Sequence, residues 1–192
     1  MSVPTMTETT AADCRTTSPA HLAGKYMTFK LAAEEYGLEI LRVREIIGRM
    51  NITRVPRTRD FIRGIINLRG KIIPVVDLRP QFGMSPAEPT DQTAIIVVQV
   101  EVAGRPLTMG LLVDQVMEVL SIKAANIEPT PKLGSAAADI PFILGVGIQE
   151  ERVVLLLDIG EVLGADAAME VADIVTPSGP PSRIAQIAEA TV

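Results

Sequence analysis

Asp77 and Asp158 stand at matching places in the chain, each directly after an apolar run and just before a short stretch closed by glycine. Paired carboxylates can do general acid–base chemistry when their surroundings keep one protonated and the other ionised. An aspartate that opens a helix has a plainer role, because its side chain accepts backbone N–H groups that otherwise lack partners. Asp158-Ile159-Gly160-Glu161 even has the spacing of a capping box. Two equivalent helix caps account for both positions, so capping is the expectation.

Little else in the chain could carry a reaction. The one histidine, His21, and the one cysteine, Cys14, fall in an N-terminal stretch rich in Thr, Ser and Ala. The folded part is left without imidazole or thiol, which removes Cys–His and Ser–His–Asp arrangements and nearly all zinc sites. No helix-opening glycine-rich stretch ends in Lys-Ser or Lys-Thr, so a phosphate-binding loop is not expected. The sequence therefore points away from catalysis, cofactors and metals. A lone cysteine excludes an intramolecular disulfide and fits a reducing compartment. With no basic, apolar leader and no apolar stretch near the ~18 residues of a span, a soluble cytoplasmic protein is expected.

The elements that hold the two aspartates repeat. Residues 61–83 read as a hairpin, with Asn67-Leu68-Arg69-Gly70 as the turn between Ile65-Ile66 and residues 72–76. Asp77 then opens a short helix over 78–82 that Gly83 closes. The pattern returns 81 residues later: Phe142-Ile143-Leu144-Gly145 matches Phe61-Ile62-Arg63-Gly64, and 152–164 matches 71–83. Upstream, an offset of 73 sets Gly37-Leu38, Val43 and Glu45 against Gly110-Leu111, Val116 and Glu118. Similarity in the same order at two places means two copies of one unit. The eight residues by which the offsets differ are expected in the Pro/Ala/Gly-rich stretch 129–141.

The rest of the chain reads as short strands. Residues 26–31 alternate, with Met27, Phe29 and Leu31 on one face, and 36–40 return after a turn at 32–35. Val43, Ile46 and Ile47 have helical spacing, which predicts a short helical turn over 41–47 ended by Gly48; a short strand is expected at 52–55. Residues 94–102 and 107–113 form the next hairpin, the first so apolar that both its faces should be buried. Residues 116–122 are a strand or short turn, 142–148 and 152–157 the last hairpin, and 166–175 an Ala-rich candidate helix. Hydrophobic residues make up 47% of the chain and aromatics 3%, with no Trp, so the core must be aliphatic. Many short strands with frequent turns predict a mainly β protein of small barrels or a sandwich.

Charge is uneven. Residues 42–71 hold nine of the 18 Lys and Arg and only two acids, about +7 against about −12 for the remainder. The window suits either a solvated face or contact with an acidic surface. Small basic β-barrels bind oligonucleotides, which makes that the alternative function. Against it, single strands need aromatic platforms, and the window offers only Phe61, which the repeat marks as core.

Tyr36-Gly37-Leu38, Ile40-Leu41-Arg42-Val43-Arg44-Glu45-Ile46, Phe61-Ile62-Arg63-Gly64-Ile65-Ile66-Asn67-Leu68-Arg69-Gly70 and Ile73-Pro74-Val75-Val76-Asp77-Leu78-Arg79 carry a family resemblance. The chain resembles the CheW family, adaptors that couple chemoreceptors to the histidine kinase CheA in two-component chemotaxis signalling. The resemblance runs from about residue 26 to 164. It implies two five-stranded SH3-like β-barrel subdomains related by a pseudo-twofold, with short helices and a candidate C-terminal helix. The expected layout is a disordered tail at 1–24, a CheW-like domain at 25–164 with approximate subdomains 25–85 and 92–164, and a helix and tail at 165–192. Exchange of strands between the barrels stays open at this level.

The resemblance further implies no enzymatic activity and no cofactor. The implied partners are the regulatory CheW-like domain of CheA and the cytoplasmic tip of a chemoreceptor, with neither nucleic acid nor membrane insertion; the protein would sit in the cytoplasm, held at membrane arrays through its partners. Val43 and Glu45 match positions tied to CheA binding, and Arg69 matches an arginine tied to receptor binding, with Gly64 and Val119 near it. Gly70, Asp77 and Asp158 are expected to be structural. Two features depart from a minimal adaptor: the tails are longer, and Pro80 stands early in a helix, where a first turn tolerates it.

Overall fold

The apolar runs separated by turns pair into hairpins in the computed structural model, which describes residues 19–48, 50–102, 104–130, 142–149 and 151–175. The strands are β1 Gly24–Leu31, β2 Glu34–Glu39, β3 Val43–Gly48, β4 Ile62–Leu68, β5 Lys71–Asp77, β6 Ala94–Val102, β7 Arg105–Val113, β8 Gln115–Ile122, β9 Ile127–Glu128, β10 Ile143–Gln149 and β11 Arg152–Leu157. The helices are α1 Leu78–Gln81, α2 Ile159–Val162 and α3 Gly164–Val175. Residues 1–18 of the expected N-terminal tail, the end of the C-terminal tail from 176, and most of the loop expected to hold the eight extra residues lie outside the described residues.

The protein is mainly β, in two sheets of order β8-β1-β2-β11-β10-β9 and β3-β6-β7-β5-β4. The sheets do not follow the sequential halves. β1 and β2 from the start of the chain join β8 to β11, while β6 and β7 join β3 to β5. The seams of this exchange are parallel: Val75 pairs with Gly110 and Val76 with Leu111, and Leu156 pairs with Gly37 and Leu157 with Leu38. The offsets of 81 and 73 turn each of these pairs into its counterpart, so the exchange is reciprocal. Each sheet borrows one hairpin from the other half of the chain and is completed only when both halves are present.

The repeat extends to irregular features. β4 and β10 each shift register beside a glycine, between Ile62 and Gly64 in one and between Ile143 and Gly145 in the other. β9 is only two residues long, and its counterpart is a single bridge, Thr53 to Ile65. The strand expected at 52–55 shrinks to that bridge. The helical turn expected at 41–47 is corrected as well: a 3-10 turn covers Ile40–Arg42, and Val43–Gly48 is an extended edge strand. Burial along the strand alternates with period two, but a half-buried Glu45 and an exposed Ile46 hide that alternation in the residue types.

Strand faces divide the core into three. Tyr26, Leu120, Ile122, Val154 and Leu156 fill one barrel, and Ile66, Ile73, Val75, Ile95 and Val97 fill the other. Between them lies a shared layer that includes Phe29, Leu38, Val76, Ile96, Val98, Met109, Leu111 and Leu157. β6 sends Ile95 and Val97 into a barrel and Ile96 and Val98 into the shared layer, so both its faces are buried, in line with its unbroken apolar run. Each fully buried Val or Leu contributes roughly 1.5–3 kcal/mol, which makes this shared layer the main tie between the barrels. Rings of Phe29, Tyr36, Phe82 and Phe142 run through it, with successive centroids 5.8, 5.3 and 4.9 Å apart. Ala167, Ala168 and Val171 of α3 pack against the same layer.

Candidate partner-binding surface

The β4–β5 hairpin reverses in two residues, Arg69 and Gly70, between the paired Leu68 and Lys71. Both turn residues have positive φ, 53° and 83°, as a type I′ turn requires. Gly70 adopts this conformation freely and donates its N–H to Asn67 Oδ1 at 2.9 Å. Arg69 adopts it at a cost of about 1–2 kcal/mol. Its side chain is 79% exposed, and Nη2 donates to Glu45 Oε1 at 2.6 Å. Glu45 lies on β3 and Arg69 follows β4, the two outer strands of a five-stranded sheet. The ion pair therefore spans the seam where that sheet curls to bring its edges together.

The other barrel has a comparable junction. Arg152, at the start of β11, donates through Nη1 to Glu118 Oε1 at 2.6 Å, and through Nε and Nη2 to Glu35 Oε2 at 3.1 and 2.8 Å. Glu118 is the repeat counterpart of Glu45, whereas Arg152 is the counterpart of Lys71 rather than of Arg69.

The remaining candidate positions separate. Val43 is half-buried and packs against the shared layer, with its backbone on the β3 edge. Gly64 is buried with φ 141°, and a Cβ there would stand 2.1 Å from the carbonyl oxygen of Thr53. Val119 lies on β8, an edge of the other sheet, and is 44% exposed; its repeat counterpart, Ile46 on β3, is 42% exposed. Glu45 and Arg69 are thus in direct contact, while Val119 belongs to the equivalent edge of the other barrel. Sequence inspection named Val119 but missed its exposed counterpart Ile46 and the exposed pair Ile72 with Val153, although each pair is related by a repeat offset that could have flagged it.

Asp77 and Asp158 sit in matching cap geometry. Asp77 Oδ1 accepts from Arg79 N–H at 3.0 Å and Asp158 Oδ1 from Gly160 N–H at 2.9 Å. Their own N–H groups donate to Phe61 and Phe142 carbonyls at 2.7 and 2.9 Å. Burial pushes the Asp77 carboxyl above its usual range, only partly offset by the Arg79 N–H and by the Arg63 guanidinium 3.7 Å away. Arg79 also grips Asp114 through Nε and Nη2, at 2.9 and 2.8 Å, and Asp114 Oδ2 accepts from Ala32 N–H at 2.7 Å. Burial alone would raise the Asp114 carboxyl, but these hydrogen bonds outweigh it and hold the group below the usual range.

In the basic window, Arg59 pairs with Glu170 on α3, Arg63 with Asp77 and Arg69 with Glu45. Phe61 is half-buried against the shared layer. The window thus presents no exposed aromatic platform and part of its charge is neutralised locally, which does not favour oligonucleotide binding.

Comparison with known proteins agrees with this architecture. The family model of the CheW-like domain matches residues 25–167. The chemotaxis protein CheW of Klebsiella aerogenes is 37% identical over 154 residues, covering 80% of this chain and 89% of that one. A probable chemotaxis protein CheW of Rhizobium etli is 35% identical, covering 76% and 90%. The crystal structure of the scaffolding protein TtCheW from Thermoanaerobacter tengcongensis superposes with a TM-score of 0.65 at 36% identity, covering 76% of this chain and 95% of that one. The chain belongs to the family of CheW-like domain proteins.

Proposed function

We propose that the protein is a non-catalytic chemotaxis adaptor that couples chemoreceptors to the histidine kinase CheA. The observation that carries this reading is the Arg69–Glu45 ion pair, which ties together two residues that family resemblance gives to different partners. Glu45 and the β3 edge at Val43 would face the kinase, and the tip of the β4–β5 hairpin would face the receptor. A guanidinium offers five N–H donors in a planar fork, and the bond to Glu45 uses one at Nη2. The other donors can meet polar groups on a receptor helix, and any pull on Arg69 changes how Glu45 is held. Binding at one surface then biases the other without a chemical step.

The half of the chain that supplies this pair also carries the basic window, so acidic partner surfaces would be steered toward it. Among the described residues no helix is long and apolar enough to cross a membrane; residence at the array would come through the partners.

The test is titration of purified Glu45→Lys and Arg69→Ala with CheA and with a receptor tip fragment. Reversing the charge at Glu45 should weaken CheA binding about tenfold or more, which is about 1.4 kcal/mol. Arg69→Ala should lower receptor affinity while the thermal transition stays close to that of the parent. Unchanged affinities in folded variants would remove these assignments.

A further inference from the structure

Beside the second barrel, the one filled by Ile66, Ile73, Val75, Ile95 and Val97, a cavity of about 370 Å³ lies between the segment after β3 and the ends of β4, β6 and β7. That is within the range of small-molecule sites, roughly 300–1,000 Å³. Its floor is apolar, from Ile52, Ile95 and Leu112, and its walls carry Arg54, Arg59 and Arg63 with Asp60 as the one acid. Arg59 and Arg63 each engage an acid through Nε, Glu170 at 2.9 Å and Asp77 at a loose 3.7 Å. Arg54 is exposed and forms no ion pair among the described residues.

The pseudo-twofold supplies an internal control. The first barrel has an equivalent cavity of about 280 Å³, where Leu144 stands for Arg63, Tyr26 for Ile95 and Glu39 for Leu112. There the Tyr26 hydroxyl donates to the Leu22 carbonyl at 2.6 Å. The same fold thus builds this hollow without an arginine at the position of Arg63 and with an acid on the floor. The other cavity has one arginine, Arg42, against three here, so the triple cationic wall and the apolar residue at position 112 do not follow from how a barrel must close.

We propose that this cavity binds a small organic anion, a carboxylate or phosphate on an apolar body, with Arg54 and Arg63 holding the anionic group and Ile52, Ile95 and Leu112 taking the body. Guanidinium suits such groups because its N–H donors match their oxygens in pairs. The apolar floor adds affinity that inorganic phosphate could not collect. The site needs neither kinase nor receptor, so it stands or falls apart from the adaptor role.

Calorimetric titration of the full chain with phenyl phosphate, inorganic phosphate and benzyl alcohol tests it. Phenyl phosphate should bind saturably and at least about tenfold more tightly than the other two. Arg63→Leu, which copies Leu144, should weaken it about tenfold, and Arg54→Gln should do likewise without disturbing any ion pair of the described residues. Arg42→Gln, at the other cavity, should leave it unchanged. Absence of saturable binding to the parent, or equal affinity in the parent and in folded Arg54→Gln, would overturn the proposal.

Discussion

At the seam of one barrel Glu45 meets Arg69, a turn residue with positive φ and a side chain largely in solvent. At the matching seam of the other barrel Glu118 meets Arg152, a strand residue that also holds Glu35 and is far less exposed. The two halves put a glutamate at one position and close on it with arginines from different places on the hairpin. A single pair at an exposed, conformationally costly tip is easily opened by a competing partner. An arginine that holds two glutamates at once, one of them largely buried, is not. The two copies keep one fold, and on the proposed adaptor role the Arg152 seam would be the firm one and the Arg69 seam the responsive one.

The sharpest way to break the comparison is at the bulge glycines. Gly64 and Gly145 are repeat counterparts, and a Cβ at either meets the carbonyl oxygen of a neighbouring segment, Thr53 at 2.1 Å and Glu128 at 2.9 Å. Only Gly64 adds a positive φ, 141°. Gly64→Ala therefore combines overpacking with backbone strain, each about 1–3 kcal/mol, for about 2–6 kcal/mol together. Gly145→Ala carries the first cost alone, about 1–3 kcal/mol. Urea unfolding of both variants measures the gap, and equal losses would mean that the two bulges are not held differently.

Next in size is the exchange of arginines. Arg152→Ala leaves Glu35 and Glu118 without their common partner and should cost about 1–2 kcal/mol. Arg69→Ala removes one exposed pair and keeps a Cβ on the same left-handed backbone, so it should stay within about 0.5 kcal/mol. Thermal melts of the two proteins side by side decide this, and a loss at Arg69 as large as that at Arg152 would refute the division into a firm and a responsive seam.

What could be seen in the chain beforehand follows from the range of each interaction. The hairpin at Arg69–Gly70, the caps at Asp77 and Asp158 and the doubly buried β6 depend on neighbours a few residues away, and local residue types report them. The repeat was visible because two offsets recur in register. The same offsets suit exchanged and unexchanged hairpins equally, so the crossing of β1–β2 and β6–β7 was not legible. β3 is not legible because Ile46 faces solvent while Glu45 takes a half-buried place, so its residue types do not follow its alternating burial. Glu45 and Arg69 were singled out separately, but their bond depends on the curvature of a sheet whose edges they occupy. The Arg152–Glu35 contact, 117 residues apart in sequence, has no local signal at all.

The smallest expected effect separates the two caps. Asparagine at position 77 can still accept the Arg79 N–H through Oδ1, so Asp77→Asn keeps the cap and removes a buried charge. Because the folded Asp77 carboxyl is raised above its ordinary 3.8, the fold holds the protonated form better than the ionised one. The sign of the linkage follows: ionised Asp77 weighs against folding above its raised pKa, and that handicap fades as pH falls from there toward 3.8. The Arg63 contact offsets part of the handicap, so at neutral pH the variant should match or exceed the parent by less than about 1 kcal/mol. Any advantage should shrink when urea unfolding is repeated at lower pH. An advantage that grows on acidification, or a loss at neutral pH larger than that of Asp158→Asn, would show that the Asp77 charge supports the fold and that the two caps differ in the opposite sense.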